Sequence, residues 1–185
     1  MLPEPASHSY RNGGWSHLFN TWWHTPFDGR RGTCGRHSQY DGNVPCDPAE
    51  MRQMTRWCAT QSQGPVYMRL GKACEPDLTA SAINPFEVGT IRYPQRWADV
   101  ALISYGITVA LANKVAAKLE ALGKWVSVLS CHTIKPLDRA GVEQVLASHK
   151  QVAVIEEYVP HGSLVLQIKE IAWDSRETGR LETFV

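Results

Sequence analysis

One arginine is the clearest candidate for chemistry in this chain. Arg69 lies at the end of a short predicted strand, Val66 to Leu70, just before Gly71. At the end of a parallel strand its side chain would project from the carboxyl edge of a sheet, where open α/β folds bind ligands. A guanidinium suits a phosphate because its fork gives two parallel charged hydrogen bonds. The alternative is a structural salt bridge at a strand end, and the residue types alone favour this alternative.

Three other side chains have suitable chemistry. His132 opens the loop H-T-I-K-P-L-D, and a histidine there could act as a general acid or base at neutral pH. We favour the interpretation that it fixes this loop through a backbone hydrogen bond. Glu156 and Glu157 follow a predicted strand, and we expect both carboxylates at a solvated or dimer-facing edge. We assign no catalytic residue on these grounds.

Several common site signatures are absent from the sequence. There is no G-x-G-x-x-G phosphate loop and no G-x-S-x-G nucleophile turn. The five cysteines are odd in number and widely spaced, which predicts reduced thiols rather than disulfides or a metal site. Four histidines near the N-terminus have spacings that fit no helix or hairpin site: His8, His17, His24 and His37. We therefore predict no metal ligands.

The elements that would position the candidates centre on a strand-helix-strand unit. Asp99 to Ser104 is a short apolar run typical of a buried parallel strand, and Trp125 to Leu129 is a second. Between them Thr108 is a candidate N-cap, and Gly123 would end the helix. The large apolar residues of this helix are spaced by four, four and three positions, which predicts one buried face: Leu111, Val115, Leu119 and Leu122.

The remaining elements complete a three-layer α/β domain with a mostly parallel sheet. An upstream helix begins at the capping box Asp47 to Glu50 and runs to about Thr60, with Met51, Met54 and Cys58 on one face. Downstream, Asp138 and Ser163 each begin a helix, Gln151 to Ile155 is a third strand, and Leu181 to Val185 is a closing one. The inward residues of the last two helices are predicted to be Val142, Val145, Leu146, Leu164, Ile168 and Ile171.

Residues 1–44 differ in composition from the rest and predict an irregular arm. They hold four of the seven histidines and three of the seven tryptophans, but their only branched aliphatic residues are Leu2, Leu18 and Val44. Read one base later, possible codons for Phe19 to Trp23 permit S-T-H-G-G, and those for His37 to Asn43 permit I-P-N-M-T-V. Our hypothesis is that this arm is an out-of-frame translation; an unrelated arm is the alternative, and the coding DNA decides between them.

Four motifs of the remaining chain resemble the transketolase family. They are G-P-V-Y-M-R-L-G-K from Gly64, P-F-E-V-G from Pro85, C-H-T-I-K-P-L-D from Cys131 and V-A-V-I-E-E-Y-V-P-H-G-S-L from Val152. The resemblance implies that residues 45–72 are a remnant of the pyrimidine-binding domain, 73–96 a linker and 97–185 the C-terminal domain. It also implies that Arg69 contacts the phosphate of a sugar substrate. Tyr158 and Ser163 depart from the family motif after Glu157, so no role is carried over to the glutamates.

The resemblance implies a parent reaction that this chain would not perform alone. The intact enzymes transfer a two-carbon ketol unit between sugar phosphates, using thiamine diphosphate and magnesium held largely by domains not recognisable in this sequence. We expect no cofactor bound by this chain by itself, and we expect a homo-oligomer or a partner subunit carrying the thiamine-diphosphate-binding domain. The alternatives are a fragment of a related thiamine synthase acting on pyruvate and glyceraldehyde phosphate, or a non-catalytic dimerisation module.

Charge and hydropathy exclude two other classes of partner. The 185 residues carry a formal net charge of +1, which provides no field to gather nucleic acid. No apolar run is long enough to span a bilayer, and the polar N-terminus shows no signal-peptide pattern. We therefore expect a cytoplasmic protein without nucleic-acid or membrane partners.

Overall fold

The structure is a computed structural model, and it describes residues 41–71, 75–80, 82–93, 98–157, 163–177 and 181–185. These residues belong to one compact unit, Ser38–Val185. The elements in chain order are β1 (Asp41–Asn43), α1 (Pro48–Thr60), β2 (Val66–Met68), β3 (Val100–Ser104), α2 (Thr108–Ala121), β4 (Val126–Ser130), β5 (Thr133–Lys135), α3 (Arg139–Ser148), β6 (Gln151–Ile155), α4 (Leu164–Ser175) and β7 (Leu181–Phe184). No helix among these is long and apolar enough to cross a bilayer.

A four-stranded parallel sheet in the order β4-β3-β6-β7 forms the larger part of the fold. Its central strand β3 is buried on both sides, as its continuous apolar run predicts. The chain moves one way along the sheet from β3 to β4 and the other way from β4 to β7. With right-handed crossovers, α2 therefore covers one face while α3 and α4, which pack on each other, cover the opposite face. The predicted three-layer α/β fold is confirmed.

A smaller sheet in the order β2-β1-β5 joins the start of the described chain to the segment that follows β4. β1 pairs in parallel with β2, Asp41 opposite Val66, and antiparallel with β5, Gly42 opposite Lys135. The predicted irregular arm therefore extends too far along the chain, because β1 lies within residues 1–44. Residues 1–40 lie outside the described residues, and the out-of-frame hypothesis stays a hypothesis.

Helix α1 begins at the predicted capping box. The Asp47 carboxylate accepts from Glu50 N at 2.7 Å, and the Glu50 carboxylate accepts from Cys46 N at 2.9 Å. The predicted apolar face is only partly right, because Met54 is fully buried while Met51 is exposed. Glu50, the residue before Met51, is buried, because its carboxylate accepts the hydrogen bond from Cys46 N at the start of the helix.

Helix α2 buries a different face from the predicted one. Its buried residues are Val109, Ala112 and Ala116, whereas Leu111 and Leu122 are 51% and 76% exposed. Val115 and Leu119 flank the core as predicted. Small side chains face the sheet because they let the helix lie close to β3 and β4. The predicted N-cap is also wrong: Ile107 occupies that position without a side-chain cap, and the Thr108 hydroxyl donates to Tyr105 O instead.

The rotated face of α2 gives a stability prediction. Leu111→Gln should change the free energy of unfolding by no more than about 0.5 kcal/mol, because the side chain is half exposed and both residues favour helices. Val109→Ala should cost about 1–2 kcal/mol, because it removes buried methyl groups. Urea unfolding of the two variants measures this directly. A larger loss of unfolding free energy for Leu111→Gln than for Val109→Ala would contradict the observed buried face. It would support the face predicted from the spacing of the large apolar residues.

Helices α3 and α4 follow their predicted patterns. Asp138 caps α3 by accepting from Gly141 N at 2.8 Å, and Ser163 caps α4 by accepting from Leu166 N at 3.2 Å. The predicted inward residues of both helices are all buried: Val142, Val145, Leu146, Leu164, Ile168 and Ile171. Each cap fixes the first residue of its helix. The residues before the cap then belong to the loop that follows the preceding strand.

A buried histidine at the end of α3 predicts acid sensitivity. The His149 ring lies with Nδ1 2.9 Å from Val145 O, and burial lowers the pKa of His149 although that hydrogen bond opposes the shift. The unfolded chain therefore binds a proton that the folded chain resists, so stability falls as pH drops below about 6.5. His149→Gln should lose less melting temperature than the parent between about pH 7.5 and 5.5. An equal drop in melting temperature for the two proteins between these pH values would show that His149 does not cause the acid sensitivity.

Candidate functional site

Arg69 lies immediately after β2, at its carboxyl end. Its backbone N donates to Asn43 O at 2.9 Å, which continues the β1–β2 pairing by one residue. Its guanidinium nitrogen Nη2 lies 3.8 Å from Glu157 Oε2, with the two side chains 28% and 46% exposed. Glu157 follows β6 of the larger sheet. The ion pair therefore joins the carboxyl ends of strands from the two sheets, and both side chains remain open to solvent.

Beside this pair, Tyr105 and Glu156 form a buried polar contact. The Tyr105 hydroxyl lies 3.4 Å from Glu156 Oε2, whose carboxylate also accepts from Leu164 N at 3.1 Å at the start of α4. A carboxylate is favourable there because the helix dipole is positive at its N-terminus. The expectation of a solvated or dimer-facing edge is therefore wrong for Glu156, which is 5% exposed. The sequence gives no sign that Glu156 is buried, because its contact with Tyr105 joins residues 51 positions apart.

We call Arg69, Tyr105, Glu156 and Glu157 the carboxyl-edge cluster. Burial raises the pKa of Tyr105 and the Glu156 carboxylate raises it further, while the Arg69 guanidinium acts in the opposite sense. Burial also raises the pKa of Glu156, against the hydrogen bonds from Ser163, Val165 and Leu164. The tyrosine is therefore a neutral donor at pH 7. The cluster offers one accessible cation, Arg69, beside a neutral hydroxyl and two carboxylates, so an anion would have to replace Glu157 at the guanidinium.

Glycine is needed next to this cluster. Gly106 follows Tyr105 with φ +53°, and a Cβ there would lie 2.7 Å from Val44 Cγ1. Gly106 N donates to Val44 O at 3.2 Å, so the turn after β3 rests against the segment after β1. This contact holds the turn after β3 of the larger sheet against the segment after β1 of the smaller one.

His132 is fully buried and lies outside the cluster. Its Nε2 lies 3.1 Å from Glu87 O, and its ring stacks on Phe86 with centroids 4.6 Å apart. Its Nδ1 faces Glu50 Oε1 at 3.6 Å, and neither atom makes a hydrogen bond. The backbone contact agrees with the predicted loop-fixing role. A general acid or base role does not fit a ring with no exposed surface.

Asp47 connects α1 to the segment that follows residue 75. Its Oδ2 accepts from Leu78 N, Thr79 N and Thr79 Oγ1 at 2.7 to 2.9 Å, and its Oδ1 accepts from Glu50 N. The carboxylates of Asp47 and Glu50 and the Cys46 thiol lie within 4.8 Å of one another. Burial, followed by the Glu50 carboxylate, raises the pKa of the Cys46 thiol, so it stays protonated. Both oxygens of Asp47 and one oxygen of Glu50 accept hydrogen bonds from the protein, and the group acts as a helix cap.

These observations define an open α/β domain with an accessible arginine at the carboxyl edge of its strands. Residues 89–176 match the family model for the transketolase C-terminal domain. Residues 89–176 are therefore identified as a transketolase C-terminal domain, which confirms the resemblance seen in the motifs of that region.

Known proteins support this placement over a wider range of the chain. The 1-deoxy-D-xylulose-5-phosphate synthase of Lysinibacillus sphaericus is 26% identical over 137 residues, which cover 71% of this chain and 21% of the synthase. One subunit of the apulose-4-phosphate transketolase of Phocaeicola vulgatus is 26% identical over 121 residues, covering 65% of this chain and 38% of that subunit. A split gene transketolase, solved as an inactive beta4 tetramer, superimposes with a TM-score of 0.63 at 26% identity, over 78% of this chain and 47% of that one.

Proposed function

We propose that this chain is the C-terminal part, as a fragment or a small subunit, of a transketolase-type transferase that moves a ketol unit between sugar phosphates. The observation that supports this most is the position of Arg69, an accessible guanidinium at the carboxyl end of β2 in a chain similar to transketolase subunits. In this proposal Arg69 binds the substrate phosphate. The chain spans about a fifth to two fifths of these curated relatives, so it contributes part of a site.

Exchange of Glu157 for a phosphate on Arg69 is energetically reasonable. The two side chains are part-exposed and their closest atoms are 3.8 Å apart. Such ion pairs contribute about 0–1 kcal/mol. A phosphate that accepts two charged hydrogen bonds from the same guanidinium gains more than this pair loses. Glu157 thus neutralises Arg69 when no phosphate is bound.

The described residues do not fit thiamine diphosphate and magnesium by themselves. A pyrophosphate and its cation need free oxygen ligands and open donors. The Cys46, Asp47 and Glu50 group of the described residues is buried, and its carboxylates accept hydrogen bonds from the backbone. We propose that a partner subunit or further domains hold the cofactor, and we assign no step at the cofactor to this chain.

A related synthase is the second candidate parent. Similarity to the 1-deoxy-D-xylulose-5-phosphate synthase of Lysinibacillus sphaericus extends over 71% of this chain, a wider share than the 65% shared with the transketolase subunit. The synthase candidate would join pyruvate to glyceraldehyde phosphate, and the ketol-transfer candidate would use two sugar phosphates. Both reactions use a phosphorylated substrate, so the role of Arg69 is the same in either case.

Reconstitution tests the proposal. The full chain is mixed with a partner that supplies the cofactor-binding domain and the missing part of the central domain, together with thiamine diphosphate and magnesium. We expect no ketol transfer by the chain or by the partner alone, and transfer between sugar phosphates by the mixture. Turnover of pyruvate with glyceraldehyde phosphate would select the synthase instead. Ketol transfer of equal rate by the partner without this chain would show that the chain has no catalytic part.

A further inference from the structure

A cavity separate from the carboxyl-edge cluster contains an arginine that forms no ion pair with any described residue. The cavity measures about 340 Å³ and lies between α2, the edge strand β4 and the segment from Leu78 to Tyr93. Most of its lining is aliphatic, and its cation is Arg92. We call it the Arg92 cavity. Its volume lies near the lower end for small-molecule sites, and an apolar wall with a few polar groups is typical of them.

Arg92 is held in place by its backbone and by two carbonyls. Its N donates to Ser130 O at 2.9 Å, which extends the edge of the sheet by one bridge. Its Nη1 donates to Asn84 O at 2.8 Å and its Nη2 contacts Thr79 O at 3.4 Å. The guanidinium is therefore positioned before any ligand arrives.

These contacts are all to carbonyl oxygens, and Arg92 forms no ion pair with another described residue. Its Nε is buried without a hydrogen-bond partner. Each terminal nitrogen keeps a second N–H. Arginines that lose part of their solvent shell are normally paired, because desolvation of an unpaired charge is costly. An anion in the cavity would provide the missing partner.

We propose that the Arg92 cavity binds a small aliphatic carboxylate. A planar carboxylate accepts two hydrogen bonds from a guanidinium, and the aliphatic lining formed by residues such as Leu78, Val109 and Val126 suits a short hydrocarbon chain. A doubly charged phosphate fits less well, because the Glu120 carboxylate also lines the cavity and repels a double negative charge more strongly than the single charge of a carboxylate. This inference is independent of the phosphate role proposed for Arg69.

Calorimetric titration of the full chain tests the assignment, with hexanoate as the probe. We expect one saturable site, with binding of hexylamine and of inorganic phosphate weaker by about tenfold or more. Arg92→Gln should weaken hexanoate binding about tenfold, because it removes the charge. Ala117→Leu should weaken it by a similar factor by filling the cavity from the exposed side of α2, with Arg92 intact.

Ala121→Leu is the matched control, since Ala121 is exposed on the same helix and does not line the cavity. Its affinity for hexanoate should stay within about twofold of the parent, which is below 0.5 kcal/mol. If Arg92→Gln fails to fold, Ala117→Leu still decides the question. The absence of saturable hexanoate binding would overturn the proposal, as would equal affinity in Ala117→Leu and Ala121→Leu. Tighter binding of phosphate than of hexanoate would overturn the carboxylate assignment.

Discussion

Asp47→Ala is expected to lower the free energy of unfolding by about 3 kcal/mol. One carboxylate caps α1 and accepts three further hydrogen bonds from Leu78 and Thr79, all at 2.7 to 2.9 Å. Alanine leaves those donors without a partner, in a place where Asp47 itself is 4% exposed. Urea unfolding measures the change.

Acid titration provides a second readout for Asp47. Burial opposes ionisation, but the hydrogen bonds from Glu50, Thr79 and Leu78 outweigh it and hold the pKa of the Asp47 carboxyl below its usual value. Its contribution is therefore complete above the unfolded pKa of about 4 and is lost as pH falls through the folded value. The parent should lose stability more steeply than Asp47→Ala between about pH 5 and 3.

Asp77→Ala is the control for this substitution. Asp77 is an exposed carboxylate in the same segment, and its removal should change stability by no more than about 0.5 kcal/mol. Equal losses for the two alanine variants would show that the network around Asp47 adds nothing beyond a surface charge.

Arg69→Gln is expected to lower kcat/KM for a phosphorylated substrate about 100-fold in the reconstituted enzyme. This rests on the proposed function. Glutamine keeps much of the length of the side chain but loses the charge and the fork, so two charged hydrogen bonds to the phosphate are lost. Initial rates measured with a sugar phosphate and with the same sugar lacking its phosphate separate binding of the phosphate from a general defect.

Two control variants sharpen the Arg69 test. Arg52→Gln removes an exposed cation from α1 and should leave kcat/KM within about twofold. Glu157→Gln removes the ion-pair partner of Arg69 at 3.8 Å and should change kcat/KM by no more than about threefold. If Arg69→Gln affects both sugars equally, Arg69 is a structural residue and the phosphate role is wrong.

The sequence predicted those features that depend on neighbouring residues. The caps at Asp47, Asp138 and Ser163 were found because each needs only a side chain and an N–H three positions later. The strands of the parallel sheet were found because strands buried on both faces give continuous apolar runs. The order of the helices and of the strands of the larger sheet followed from the same short-range patterns.

Features that depend on distant residues were missed. Nothing near Arg69 in the chain indicates Glu157 as its partner, and nothing near Asp47 indicates Thr79. The predicted buried face of α2 is wrong because the size of a side chain does not decide its burial there. Close approach of a helix to a sheet favours alanine, so Ala112 and Ala116 are buried and Leu111 is exposed. The short strand β1 has little apolar character, and only its pairing with β2 and β5 reveals it.

The position of β1 between β2 and β5 limits how this protein can be shortened. A recombinant piece beginning at the linker would keep β5 but lose both strands that accompany it in the small sheet. The bared backbone of β5 would then be free to pair with another molecule, a known route to aggregation. Self-association of such a truncated piece would reflect that artefact, so size measurements on this protein should retain the segment from Asp41 onward.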